Sequence, residues 1–326
     1  MEKIIRVGSR ESKLALAQTE LVLKEIKKFH PEMQFELVPM KTTGDKILDR
    51  NLDQIGGKGL FVKELDRALL ERKVDLTIHS LKDLPMEIPD ELPILGYSKR
   101  EDPRDAMICG QKLKSYLDEK AGEDGEKEKA LSEEEKLCIG TSSKRREKQL
   151  SILYPKADFR GIRGNVQTRL RKLEEEGYDA TVLAMAGLKR LGVEEIADQI
   201  FSVDEVIPAA GQGILVLQGR RGEEYFFLDE VCDREAAYAA TAERSFVKTL
   251  DGGCTSPAAA YAELAGNQLL LRGLYYDEET EGFLTGKKSL LLAEGALAEA
   301  EKLGKELALE LKEKYQAKLK EKNCEA

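Results

Sequence analysis

The order of apolar runs constrains this chain most. Short strand-like runs alternate with longer segments of helical spacing, and the alternation occurs twice before the pattern changes. Residues 4–8 read as a strand, and residues 9–28 follow with Leu14, Leu21, Val22 and Ile26 at helical spacing. Residues 35–38 form a second strand, 59–72 a second helix and 74–79 a third strand. This alternation predicts an α/β domain around a largely parallel sheet. Glu101-Asp102-Pro103-Arg104-Asp105 is polar, carries a proline and reads as a crossover into a second α/β unit. That unit's strands are expected at 106–109, 137–140, 159–160 and 180–183, with a helix over 165–176. Residues 200–208 read as the return crossing, and 213–217 as a strand rejoining the first domain.

A third segment starts near Asp233, with a helix over 234–250 and strands at 258–263, 268–275 and 288–292. In the final helix, about 296–320, Leu303, Leu307, Leu311, Tyr315 and Leu319 share one face, which is expected to pack on the third sheet. The expected domains are therefore 1–102 with 206–226, then 103–205, then 227–326. Residues 111–136 are low in complexity and almost wholly charged. They read as a solvated loop with room for one short helix, and no chemistry is assigned to them.

A length of 326 residues is too great for one ordinary core and fits two or three domains. The net charge of −9 argues against general nucleic-acid binding, which favours a basic domain. The five cysteines are widely spaced without a CxxC, which argues against a disulfide framework or a zinc site and for reduced thiols in the cytosol. The N-terminus lacks the apolar run of a signal peptide, and no stretch approaches the ~18 apolar residues of a membrane span. With only His30 and His79 present, a histidine-rich metal site is not expected, and His30, just before Pro31, reads as a surface residue.

Arginine is concentrated where chemistry is expected. Arg145, Arg146, Arg160, Arg163, Arg169, Arg171 and Arg190 lie within one segment. A solvated helix face would explain such a run. Two details favour a binding role. Gly140-Thr141-Ser142-Ser143 and Arg163-Gly164-Asn165 each follow a strand and open a helix, where free N–H groups meet anions. Guanidinium forks also suit carboxylates better than ammonium groups do. Together these predict a pocket for a ligand with several carboxylates. Gly8-Ser9-Arg10-Glu11-Ser12 is a similar strand-to-helix link. Gly56-Gly57-Lys58-Gly59 leads into a helix but lacks the spacing and Lys-Ser/Thr pair of a P-loop. Asp83 in His79-Ser80-Leu81-Lys82-Asp83 follows a strand, where ligand-binding residues gather. Beside arginines it would stay ionised and could stabilise a cation or exchange protons. Asp251-Gly252-Gly253-Cys254 presents a cysteine on a turn; an inert small hydrophobe and a reactive thiol both fit that spacing.

Taken in order, these segments and Pro208-Ala209-Ala210-Gly211-Gln212-Gly213 resemble the porphobilinogen deaminase family over nearly the whole chain. The charged 111–136 stretch is the main departure. The resemblance implies two similar doubly wound domains of the two-lobed solute-binding-protein type, with the active site between them, and a smaller α+β third domain. It implies a dipyrromethane cofactor joined by a thioether to Cys254, on which four porphobilinogens condense with loss of ammonia before hydroxymethylbilane is released. By the same resemblance Asp83 matches the catalytic acid that contacts pyrrole nitrogens of cofactor and substrate, and Lys82, Asp83, Ser143, Arg145, Arg146, Arg169 and Arg190 match cofactor-binding positions. Arg10, Ser12, Gln18, Arg163 and Arg169 match substrate-binding positions. Lys58 and Phe61 belong to a loop read as a lid. Gln54 stands where some members carry a basic residue. A cytoplasmic monomer without metal, nucleic-acid or membrane partners is implied.

Two other readings stay open on the residues alone. A two-lobed binding protein without catalysis would leave Asp83 and Cys254 without a role. A basic nucleic-acid module around 145–190 would call for interleaved aromatic residues, and only Tyr154, Phe159 and Tyr178 lie there.

Overall fold

The computed structural model describes residues 4–43, 62–120, 137–252, 256–292 and 297–325. Gln54, Lys58, Phe61 and Cys254 lie outside the described residues, as do 121–136 of the charged stretch. Two compact units are present. Unit 1 comprises Met1–Glu101, Ala209–Cys254 and Ala258–Ala326, and unit 2 comprises Asp102–Pro208 and Thr255–Pro257.

Unit 1 contains a sheet of β1 (Ile5–Arg10), β2 (Phe35–Met40), β3 (Leu76–Ser80), β4 (Ile94–Tyr97) and β10 (Leu215–Gln218), in the order β2-β1-β3-β10-β4. β1 runs parallel to β2 and β3, whereas β10 runs antiparallel to both β3 and β4. Unit 2 contains β5 (Asp105–Cys109), β6 (Cys138–Gly140), β7 (Asp158–Arg160), β8 (Ala180–Ala184) and β9 (Gln199–Ile200), in the order β7-β6-β8-β5-β9. β6 is parallel to β7 and β8, and β5 is antiparallel to β8 and β9. The two sheets therefore share one scheme, in which β1 corresponds to β6, β2 to β7, β3 to β8, β10 to β5 and β4 to β9. The sheets are largely parallel, as expected from sequence, and each carries one antiparallel return strand. Both return strands, β5 and β10, are buried at every position, so apart from Asp105 and Gln218 at their ends their sequences are apolar rather than alternating.

Helix starts follow from capping chemistry. α1 (Lys13–Phe29) begins at Ser12, whose side chain accepts from the Ala15 N–H, and Lys27 and Lys28 lie in its last turn, where the dipole favours cations. Its Val22, Leu23 and Ile26 pack with Ile5, Val7, Leu76 and Ile78 of the sheet. α2 spans Lys63–Leu70 and α3 spans Gln111–Lys120. α3 lies in the first part of the charged stretch, where room for one short helix is expected. α4 (Lys144–Leu153) is capped by Ser143, α5 (Val166–Glu175) by Asn165, and α6 spans Met185–Leu191.

The C-terminal part of unit 1 pairs α7 (Arg234–Thr249), capped by Asp233, with a three-stranded antiparallel sheet of β11 (Ala259–Ala265), β12 (Gln268–Tyr276) and β13 (Phe283–Leu291). α8 (Leu297–Glu325) completes it, and its Leu303, Leu307, Leu311 and Tyr315 join Phe246, Leu269 and Leu271 in one core. That is the packing expected of the helical stripe. β13 begins at Phe283, earlier than the strand expected at 288–292, because its full register with β12 extends the ladder through polar residues. Among the described residues no helix is long and apolar enough to cross a membrane.

The two histidines sit in opposite environments. His30 caps the end of α1 and, rather than lying free on the surface, is half-buried with Nε2 3.0 Å from Glu230 Oε2. That hydrogen bond to a carboxylate raises its pKa above 6.5. His79 is buried on β3, and burial, aided by the Arg10 charge, pushes it down to about 4. The contribution of His30 to stability is present below its unfolded pKa and fades as pH rises through the folded one. His79 works in the other direction: its neutral form suits the fold, so stability falls as pH drops from 6.5 towards 4. A carbon-13 NMR titration should show one imidazole titrating above 6.5 and the other near 4, and Glu230→Gln should lower only the first.

Candidate active site

In unit 1 the expected residues gather where β1 and β3 end. The strands are parallel neighbours, so their carboxyl ends fall on the same edge of the sheet. Arg10 is the last residue of β1, and Ser12 caps the helix that follows. Gln18 is buried on α1, and its Oε1 accepts from Ser80 Oγ at 3.3 Å, which ties the helix to the end of β3. Lys82 and Asp83 lie in a 3-10 turn over Leu81–Asp83, both half-buried. Lys82 Nζ donates to Gln212 Oε1 at 3.1 Å. Gln212 belongs to the motif over 208–213, where nothing in the sequence marks it as a partner of Lys82.

Unit 2 repeats the arrangement. Ser143 follows β6 and caps α4 by accepting from the Arg146 N–H, as Ser12 follows β1 and caps α1. Arg163 lies in the link from β7 to α5, and Arg169 on α5 donates from Nε to the Gly164 carbonyl at 2.9 Å. Gly164 has φ +114, and a Cβ there would lie 2.5 Å from Thr168 Cγ2, so the Arg163-Gly164-Asn165 link requires glycine. Arg190 lies on α6, after β8.

Arg145 and Arg146 have a different setting from an open helix face. Both are buried on α4 and share one carboxylate, Asp105, which has no solvent exposure. Arg145 Nη2 reaches Asp105 Oδ2 and Arg146 Nη2 reaches Asp105 Oδ1, each at 2.7 Å. The Nη1 atoms donate to the carbonyls of Ile207 and Val182 at 2.8 and 2.9 Å. Burial lowers the Arg145 pKa and Asp105 opposes it; a guanidinium nevertheless keeps its proton in a protein. Two positive charges therefore meet one negative charge. Arg146 Nε, moreover, is buried without a hydrogen-bond partner among the described residues. An orphaned buried donor beside excess positive charge and a helix N-terminus is a setting for an anion. Reading Glu101–Asp105 as a polar crossover missed this. Asp105 opens β5 and is wholly buried, and nothing local in the sequence marks it.

Elsewhere, a surface hollow of about 350 Å³ is lined in part by Glu223, Glu224 and Asp229 and contains none of these residues. Its acidic rim does not suit a polycarboxylate.

Two family models match the chain. Residues 5–227 match "Porphobilinogen deaminase, dipyromethane cofactor binding domain", and residues 237–313 match "Porphobilinogen deaminase, C-terminal domain". The chain belongs to the porphobilinogen deaminase family. The porphobilinogen deaminase of Acetivibrio thermocellus is 48% identical over 307 residues, covering 94% of this chain and 97% of that protein. That of Carboxydothermus hydrogenoformans is 40% identical over 323 residues, covering 98% and 97%. Among solved structures, the BenM effector binding domain with its effector benzoate is 16% identical, covers 70% of this chain and 88% of its own, and has a TM-score of 0.34. That likeness is too distant to add to the strand order above.

In this family member, removing the shared carboxylate should be costly. Asp105→Asn leaves two buried guanidinium groups without their counter-charge. A loss of about 3–5 kcal/mol is expected in denaturant unfolding followed by circular dichroism. A change within about 0.5 kcal/mol would show that Asp105 does not hold the pair.

Proposed function

We propose that this chain is a working porphobilinogen deaminase that carries its cofactor on Cys254 and uses Asp83 as its catalytic carboxylate. The enzyme is a transferase of tetrapyrrole and heme-type biosynthesis, a hydroxymethylbilane synthase. It condenses four porphobilinogens head to tail on a covalent dipyrromethane primer, releasing ammonia and the linear tetrapyrrole hydroxymethylbilane. The observation that carries this reading is the match of both family domains, together spanning most of residues 5–313.

The residues of unit 2 fit the cofactor. Each pyrrole ring bears two carboxylates, and the Arg145–Arg146 pair combines surplus charge with an orphaned donor. Ser143, Arg169, Arg190, Lys82 and Asp83 complete the cofactor-binding set, with the thioether at Cys254. When bound, dipyrromethane supplies the nucleophilic pyrrole carbon at which the chain of rings begins. Arg10, Ser12, Gln18, Arg163 and Arg169 bind substrate carboxylates, for which planar forks are suited. Asp83 accepts from the pyrrole N–H of the substrate. As ammonia departs, positive charge spreads into that ring, and a fixed carboxylate stabilises it where it develops. Lys58 and Phe61 belong to a loop that shields the reaction from water.

Three domains are proposed, 1–102 with 206–226, 103–205 and 227–326. The enzyme acts as a cytoplasmic monomer without nucleic-acid or membrane partners, and the net charge of −9 supports the exclusion of nucleic acid.

Intact-mass measurement of the denatured protein tests this reading. An excess of two pyrrole units is expected, lost in Cys254→Ser and growing stepwise on addition of porphobilinogen. A mass that stays at the bare polypeptide after incubation with substrate would favour a non-catalytic binding protein. In loaded enzyme, Asp83→Asn should lower kcat on the order of 10²-fold or more. Near-normal turnover would remove Asp83 from its role.

A further inference from the structure

We propose that Glu243 is a positioning residue for Lys82, acting from the far side of the turn that bears Lys82 and Asp83 through Arg100 and Gln212. The role assigned to Lys82 rests on the function proposed above; the hydrogen-bonded path to it does not.

Glu243 lies on α7 with no solvent exposure. Its carboxylate accepts from the Gly211 N–H at 2.6 Å, from the Ala262 N–H of β11 at 2.7 Å and from Arg100 Nη2 at 2.6 Å. Three donors from three separate segments thus converge on one buried carboxylate. A well-packed apolar residue would fill such a place with less desolvation, so the carboxylate's distinctive contribution is geometry. Arg100 passes that geometry on. Its Nη1 donates to the Gln212 carbonyl at 3.0 Å, and its guanidinium lies over the Tyr261 ring, 5.3 Å from the centroid. Gln212 is itself buried, and its side-chain oxygen accepts from Lys82 Nζ at 3.1 Å.

The backbone reinforces the same path. Gly211 has φ +77, and a Cβ there would lie 2.5 Å from Leu81 Cγ. The segment before β10 is therefore pressed directly against the turn that carries Lys82. The Leu81 N–H also donates to the Ile214 carbonyl at 3.0 Å. Through these contacts the three-stranded sheet, by way of Ala262, holds the Gly211-Gln212 peptide and hence the amine of Lys82. The ammonium is placed by a neutral amide that is in turn placed by a buried ion pair. A carboxylate of the ligand thus meets a cation whose direction is already set.

Lysine reactivity tests the proposal directly. Trace acetic anhydride labels amines in proportion to their accessibility and their unprotonated fraction, and peptide mass spectrometry reads each lysine separately. Glu243→Gln should raise the labelling rate of Lys82 about fivefold, the factor attached to loss of one ordinary hydrogen bond, with Lys28 and Lys305 unchanged as internal references. Gln212→Ala should give the same rise, and the double variant no more than either single one. Arg100→Lys, which cannot span both acceptors, serves in place of Glu243→Gln if that protein fails to fold. The measurement is made on the enzyme as purified and again in the Cys254→Ser background, where differences in cofactor loading do not arise. A lower thermal midpoint with Lys82 labelling unchanged would overturn the proposal and leave Glu243 a purely structural residue. Additive rises in the double variant would also overturn it. Failure of the enzyme to gain mass with porphobilinogen would sink the catalytic reading alone, since the labelling requires no substrate.

Discussion

What unit 2 offers to an anion depends on one buried carboxylate. Asp105 fixes two guanidinium groups that would otherwise repel each other inside the protein, and it aligns them by taking one nitrogen from each. Because a single carboxylate meets two cations, the cluster carries surplus positive charge. Ser143 sets the same helix at its N-terminus, so charge and backbone dipole point in a common sense. The two guanidinium groups can be buried side by side because Asp105 is there.

The two five-stranded sheets use one plan for different ends. In each, a parallel strand is followed by a serine-capped helix at the sheet's carboxyl edge, and an antiparallel strand returns beside the edge strand. Unit 1 attaches to that plan a turn with an ammonium and a carboxylate, while unit 2 attaches guanidinium groups. The same scaffold thus presents mixed charge in one copy and nearly uniform positive charge in the other. The link from chain to function lies in these insertions at strand ends, not in the sheets themselves.

Much of the fold was legible because its helices announce their starts. Asn165 and Asp233 both cap the helices expected after them, and the stripe of α8 does pack into the core shared with α7 and the three-stranded sheet. β4 and β9, of four and two residues, are too short to show a period and exist through pairing with β10 and β5. Thr285 to Ser289 read as polar because alternate residues of β13 face solvent. The arginines of the candidate site stood out because they cluster along the chain. Asp105 and Glu243 did not, because a buried acid is defined by its partners. Those of Asp105 lie 40 and 41 positions away, and the arginine paired with Glu243 lies 143 away. No local pattern encodes that.

Because β10 lies between β3 and β4, residues 1–101 alone cannot finish the first sheet. During synthesis β3 and β4 emerge long before Leu215–Gln218, and for that interval the gap between them has no occupant. The five strands of unit 2 all lie between Asp105 and Ile200, so its sheet can close within that interval. Growth from the ribosome thus favours assembly from the inside outward: the inserted unit first, the enclosing sheet second and α8 last. A nascent chain stalled before Leu215 presents two unpaired, largely apolar strand edges, and such edges are where aggregation begins.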